Sequence, residues 1–187
     1  MSSQSNDPPA PVADVEDLVA QLSSGQSEWL MVDIGGIAVT NSADEVLSTS
    51  APVGSCVAVC LWESNAHVSG LLHFLLPDSK SDPAQAETSP AKFADTGLMV
   101  LLDEAARLGA KKSQCKVWLV GGAQVDDREN ADKLAKRNVL AARSALWKAG
   151  ILLDREEVGG NKPRRATLSV SGGELLVKVE ELEHRGA

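Results

Sequence analysis

Two stretches decide how this chain folds: Val53-Gly54-Ser55-Cys56-Val57-Ala58-Val59-Cys60-Leu61-Trp62 and Ser69-Gly70-Leu71-Leu72-His73-Phe74-Leu75-Leu76-Pro77. Both are apolar, short and rich in β-formers, and the polar Glu63-Ser64-Asn65-Ala66 between them reads as a turn. The pair therefore reads as a β-hairpin. Closing it symmetrically about Ser64 and Asn65 sets Cys56 opposite His73. Opposed residues of an antiparallel pair share a face, with Cβ atoms roughly 5 Å apart, which is within reach of a thiol–imidazole pair. A slip of one residue would put the two side chains on opposite faces.

Outward from the hairpin, 187 residues with ordinary apolar content suit one globular domain. Two Phe, four Trp and no Tyr leave an aliphatic core. A net charge of −8 and a pI near 4.9 argue against nucleic acid and anionic membrane as partners. No apolar run approaches the roughly 20 residues of a membrane helix, and the Ser/Pro-rich start has no secretory pattern. Cys56 and Cys60 would be about 13 Å apart on one strand, too far for a disulfide. With no Cys/His cluster at ligand spacing, the three cysteines read as reduced thiols and the compartment as cytoplasmic.

Residues 1–28 read as a flexible extension in which Val15, Leu18, Val19 and Leu22 have helical spacing, 29–180 as the folded domain, and 181–187 as a disordered tail. Residues 29–40 form a strand region broken at Gly35-Gly36. Residues 78–92 are a polar loop, 94–108 a helix stopped by Gly109, and 115–120 a strand closed by Gly121-Gly122. A second long helix covers 131–149, with Ala135, Val139, Ala142 and Leu146 on its apolar face, and strands follow at 151–158, 166–170 and 174–179. This order lacks regular βαβ alternation and disfavours a doubly wound sheet. No glycine-rich phosphate loop is present.

A cysteine nucleophile needs a thiolate, a positioned acid/base and donors for the oxyanion. Cys56 and His73 supply the first two, and the Gly54-Ser55-Cys56 N–H groups are candidates for the third. Thr49, Ser50 and Ser55 are hydroxyls available to orient the imidazole. Cys60 and Cys115 read as structural, His67 would oppose Trp62 at the turn, and His184 is in the tail. The papain pattern around the cysteine is not met, because positions 53 and 57 are both Val.

The Gly54-Ser55-Cys56-Val57-Ala58-Val59-Cys60-Leu61 and His73-Phe74-Leu75-Leu76-Pro77 stretches resemble the CheD family of chemoreceptor glutamine deamidases. Lys92-Phe93-Ala94-Asp95-Thr96, Gly121-Gly122-Ala123, Arg137-Asn138-Val139, Glu156-Glu157-Val158-Gly159-Gly160-Asn161 and Leu175-Leu176-Val177-Lys178 follow in the family's order. The resemblance spans residues 32–179. It implies an α+β fold, a single-domain α/β/β sandwich with mixed, largely antiparallel sheets and two main helices. It also implies Cys56 as nucleophile, His73 as acid/base and Ser50 where the family usually has Thr, with Thr49 one residue earlier; Ala51-Pro52 is an unusual approach to the cysteine. The implied activity is hydrolysis of glutamine side-chain amides on the cytoplasmic helices of methyl-accepting receptors, without cofactor or metal. The implied protein is a monomer, with a chemotaxis phosphatase as a second partner in some systems. The alternative is a non-enzymatic CheD-like regulator that binds receptors or a phosphatase.

Overall fold

The computed structural model describes residues 27–125 and 129–180. The expected N-terminal helix and the C-terminal tail lie outside the described residues. Among the described residues nine strands form two sheets. One has four strands in the order β1 (Glu28–Val32), β3 (Glu45–Thr49), β8 (Arg164–Ser169) and β9 (Leu175–Val179). The other has five: β2 (Gly36–Thr40), β5 (Val68–Phe74), β4 (Val57–Glu63), β6 (Cys115–Gly121) and β7 (Arg155–Val158). The β1–β3 and β6–β7 pairs are parallel and the others antiparallel.

Two long helices, α2 (Ala94–Arg107) and α3 (Glu129–Lys148), cover the outer face of the five-stranded sheet, and α1 (Pro83–Thr88) is short. Alternation along β4 and β5 sorts the side chains between two cores. Val57, Val59, Leu61, Leu72 and Phe74 pack beneath Leu98, Leu101 and Leu146 of the helices. Cys56, Ala58, Cys60 and Leu71 pack against Val32, Leu47, Ala166 and Leu168 of the other sheet. The layers are thus helix, sheet, sheet: the α+β sandwich with mixed sheets. The central hairpin is covered on both faces, which is why its sequence reads as a nearly continuous apolar run.

Three expectations are corrected. The 29–40 region is two strands in different sheets. At Asp33–Gly36 the chain turns, with the Gly36 N–H donating to the Asp33 carbonyl at 2.8 Å, and crosses from one layer to the other. The 78–92 loop holds α1 between single turns of 3-10 helix at Ser79–Ser81 and Pro90–Lys92. Asp78 and Asp82 cap these segments by accepting from the Lys80 and Gln85 N–H groups. The strand expected over 151–158 is confined to Arg155–Val158.

The hairpin register is corrected as well. Val57 pairs with Phe74 and Ala58 with His73, so His73 stands opposite Ala58, two residues beyond Cys56. Glu63 pairs with Val68, and Ser69 rather than His67 opposes Trp62. The Glu63 carboxylate accepts from the Ala66 N–H at 2.6 Å and His67 takes a left-handed φ of 51°. These two local features close the hairpin one residue later than symmetry about Ser64 and Asn65 would. The shift of two residues preserves parity, so Cys56 and His73 remain on one face of the sheet.

Candidate active site

Cys56 lies one residue before β4 and is 6% exposed; His73 lies in β5 and has no exposed surface. Both belong to the side of the five-stranded sheet that faces the other sheet, as diagonal neighbours, a relation that spans about 7–8 Å between backbones in antiparallel sheets. Neither ring nitrogen of His73 makes a well-formed hydrogen bond, although the Val32 backbone lies near enough to favour the charged ring, and thiol and imidazole are not hydrogen-bonded to each other. Burial pushes the Cys56 thiol up to about 11, with its own backbone N–H pulling the other way. Burial likewise lowers the His73 imidazole to about 4, opposed by the Val32 backbone and the Asp33 charge. Both groups are neutral at pH 7 in this conformation.

The loop from Ser50 to Cys56 carries the chain from the four-stranded to the five-stranded sheet. Its middle is pinned where Val53 and Arg164 exchange backbone hydrogen bonds of 2.6 and 3.1 Å. Its far end is held by carbonyls: Gly54 accepts from the Ala123 N–H at 2.8 Å and Cys56 from the Gly122 N–H at 2.7 Å. The Gly121-Gly122 turn makes this approach possible. Gly121 has φ +113°, and a Cβ there would lie 2.7 Å from the Cys56 carbonyl oxygen.

The structure separates Thr49 from Ser50 among the three candidate hydroxyls. Thr49 is fully buried and its Oγ1 accepts from the Ala166 N–H at 3.3 Å. Ser50 is partly exposed, and its hydroxyl donates to the Asp33 carboxylate in a short hydrogen bond. The Ser50 backbone is fixed twice: its N–H donates to Val32 C=O at 3.0 Å, and its C=O accepts from the Arg165 guanidinium at 3.2 Å. The Asp33 loop is tied to His73 in turn, because the Gly35 N–H donates to the His73 carbonyl at 2.6 Å. Asp33 therefore bridges Ser50 and the surroundings of His73. The sequence reading missed it, because an Asp before a glycine turn reads as a turn residue.

Asn138 is another functional candidate that was missed. It is completely buried on α3, and its Nδ2 donates at 2.9 Å to both the Ser55 and the Leu75 carbonyls. A polar residue among Ala135, Val139 and Ala142 was the available signal. Cys60 is buried and not hydrogen-bonded to His73, and burial pushes its thiol up to about 12. Cys115 lies at the far end of β6, paired with Glu63. All three cysteines are free. Among the described residues no group of three or more His, Cys, Asp or Glu is arranged to hold a metal, and no helix is long and apolar enough to cross a membrane.

Comparison with known proteins adds names to this geometry. The family described as CheD chemotactic sensory transduction matches residues 75–179. A Syntrophus aciditrophicus protein named probable chemoreceptor glutamine deamidase CheD 1 is 37% identical over 80% of this chain and 92% of its own length. A Solibacter usitatus protein named probable chemoreceptor glutamine deamidase CheD is 38% identical over 81% and 89%. A Methanococcus maripaludis protein of the same name is 35% identical over 80% and 94%.

Proposed function

The chain belongs to the CheD family, and from that premise we propose that it hydrolyses glutamine side-chain amides of chemoreceptors, with Cys56 as nucleophile, His73 as acid/base and Ser50 as the orienting hydroxyl. The observation that carries the reading is the placement of Cys56 and His73 on one face of the hairpin, at the end where Ser50 arrives from the other sheet. Because thiol and imidazole are both neutral at rest, His73 works first as a base. It takes the Cys56 proton as sulfur attacks the carboxamide carbon, and then gives that proton to the departing nitrogen. Ammonia leaves and a thioester remains. His73 then draws a proton from water, whose oxygen attacks the thioester. Glutamate is released and the proton returns to sulfur. A neutral side chain on the receptor becomes a carboxylate.

The same reading puts the protein in the cytoplasm as a monomer, working on receptor cytoplasmic helices, with a chemotaxis phosphatase as its second partner. One observation favours a competing role. The resting thiol and imidazole are both buried and are not hydrogen-bonded to each other, as suits a non-enzymatic regulator that only binds receptors or the phosphatase. Mass spectrometry of a receptor cytoplasmic fragment decides between them. Wild type adds about one mass unit per modified glutamine, the exchange of NH2 for OH, and Cys56→Ala adds none. Tight receptor binding with no mass change sinks the enzyme in favour of the regulator.

A further inference from the structure

Asn138 connects the two chain segments that carry the candidate thiol and imidazole. Its carboxamide uses both hydrogens, one on the Ser55 carbonyl and one on the Leu75 carbonyl, each at 2.9 Å. Ser55 precedes Cys56, and Leu75 lies two residues beyond His73. The reverse orientation of the amide would set its oxygen against two carbonyl oxygens, so the donors must face this way. Its Oδ1 is left buried without a partner. An orphaned buried acceptor is a cost to folding, and an apolar residue among the alanines of this helix face would avoid it.

The Ser55 carbonyl and the Cys56 N–H belong to one peptide plane. The chain has no cis bond among the described residues, so the two groups point in opposite directions. The neighbouring Gly54 and Cys56 carbonyls are held by Ala123 and Gly122. With three successive carbonyls anchored, the Ser55 and Cys56 N–H groups are aimed away from those anchors. A donor on the Ser55 carbonyl also polarises its peptide and strengthens the Cys56 N–H as a donor. That N–H is the group beside the Cys56 sulfur that favours its charged form.

We infer that Asn138 is a positioning residue: clamped on the Ser55 and Leu75 carbonyls, it directs the Cys56 N–H at the oxyanion that forms when the Cys56 sulfur attacks a carbonyl. The inference deepens the amidase reading and rests on it only in taking Cys56 as the nucleophile. Its test compares two reagents on the full-length chain. Iodoacetamide alkylates sulfur by displacement at a saturated carbon and makes no oxyanion. p-Nitrophenyl acetate acylates the same sulfur through a tetrahedral oxyanion. Modification of Cys56 by each is followed by peptide mass spectrometry in wild type, Asn138→Ala and Asn138→Leu, the last filling the side chain's volume without donors and without a buried charge. Asn138→Leu carries the test if Asn138→Ala shows no cooperative unfolding transition.

The acylation-to-alkylation ratio falls by about tenfold or more in the variants, while alkylation itself stays within about threefold. An unchanged ratio, including one in which both rates move by the same factor, overturns the inference. The deamidase reading is decided separately on receptor glutamines. A wild type inert toward the receptor, with a ratio that still depends on Asn138, loses that reading and keeps this one. Turnover on the receptor with a ratio indifferent to Asn138 does the reverse.

Discussion

Burial holds His73 near 4, below the 6.5 of a free imidazole, and that difference is a statement about stability as well as chemistry. The folded chain prefers the neutral ring, whereas the unfolded chain binds a proton at ordinary affinity. The contribution is therefore complete above pH 6.5 and is lost as pH falls through 4. Its size is on the order of 3 kcal/mol for a shift of this extent. Urea unfolding of wild type and His73→Gln at pH 7, 5.5 and 4.5 isolates it, because every other titrating group is common to both. Wild type loses more stability than the variant as pH falls from 7 towards 4. Parallel curves would mean that the ring is not held neutral.

At the scale of elements, the site depends on close approach more than on side-chain reach. Gly121 ends β6 with φ +113°, where a Cβ would press on Val53 and on the Cys56 carbonyl. Gly121→Ala adds left-handed backbone strain of roughly 1–3 kcal/mol to that clash. It lowers the denaturant midpoint and pushes the Cys56 turn away from Gly122, so Cys56 alkylation accelerates as the thiol is uncovered. Unchanged stability and alkylation would show that the turn yields without moving Cys56. Much of this scale was legible in the sequence. Gly109 and Gly150 follow the long helices, and Ala135, Val139, Ala142 and Leu146 form the buried face of α3 as their spacing required. The hairpin's existence and the shared face of Cys56 and His73 were legible too. Its register was not, because a continuous apolar run buried on both sides has no alternation to fix it. The register was set instead by the Glu63 carboxylate on the Ala66 N–H. The roles of Asp33 and Asn138 were hidden for a related reason: each acts on a segment far away in sequence, and spacing reports only local neighbours.

For the whole molecule, the consequence lies in how the candidate site divides between layers. Ser50 directly follows β3 of the four-stranded sheet, whereas Cys56 leads into β4 and His73 lies in β5 of the five-stranded sheet. Their separation is therefore set by the packing between sheets, where Leu168 and Leu47 meet Ala58, Cys60 and Leu71. The helix layer supports the five-stranded sheet from its other side, through Leu101 and Leu146. Leu168→Ala and Leu101→Ala each remove a fully buried side chain, at a cost of about 2–5 kcal/mol. Their effects on hydrolysis should nevertheless differ. Loosening the inter-sheet core frees Ser50 relative to Cys56 and His73, and misplacement of about 1 Å can cost as much as roughly a hundredfold in rate. A cavity under α2 leaves that separation intact. Measured where both variants are fully folded, kcat falls about tenfold or more in Leu168→Ala and stays within about threefold in Leu101→Ala. Equal losses at equal stability would mean that the relation between the sheets does not govern the chemistry, and that Ser50 has no part in it.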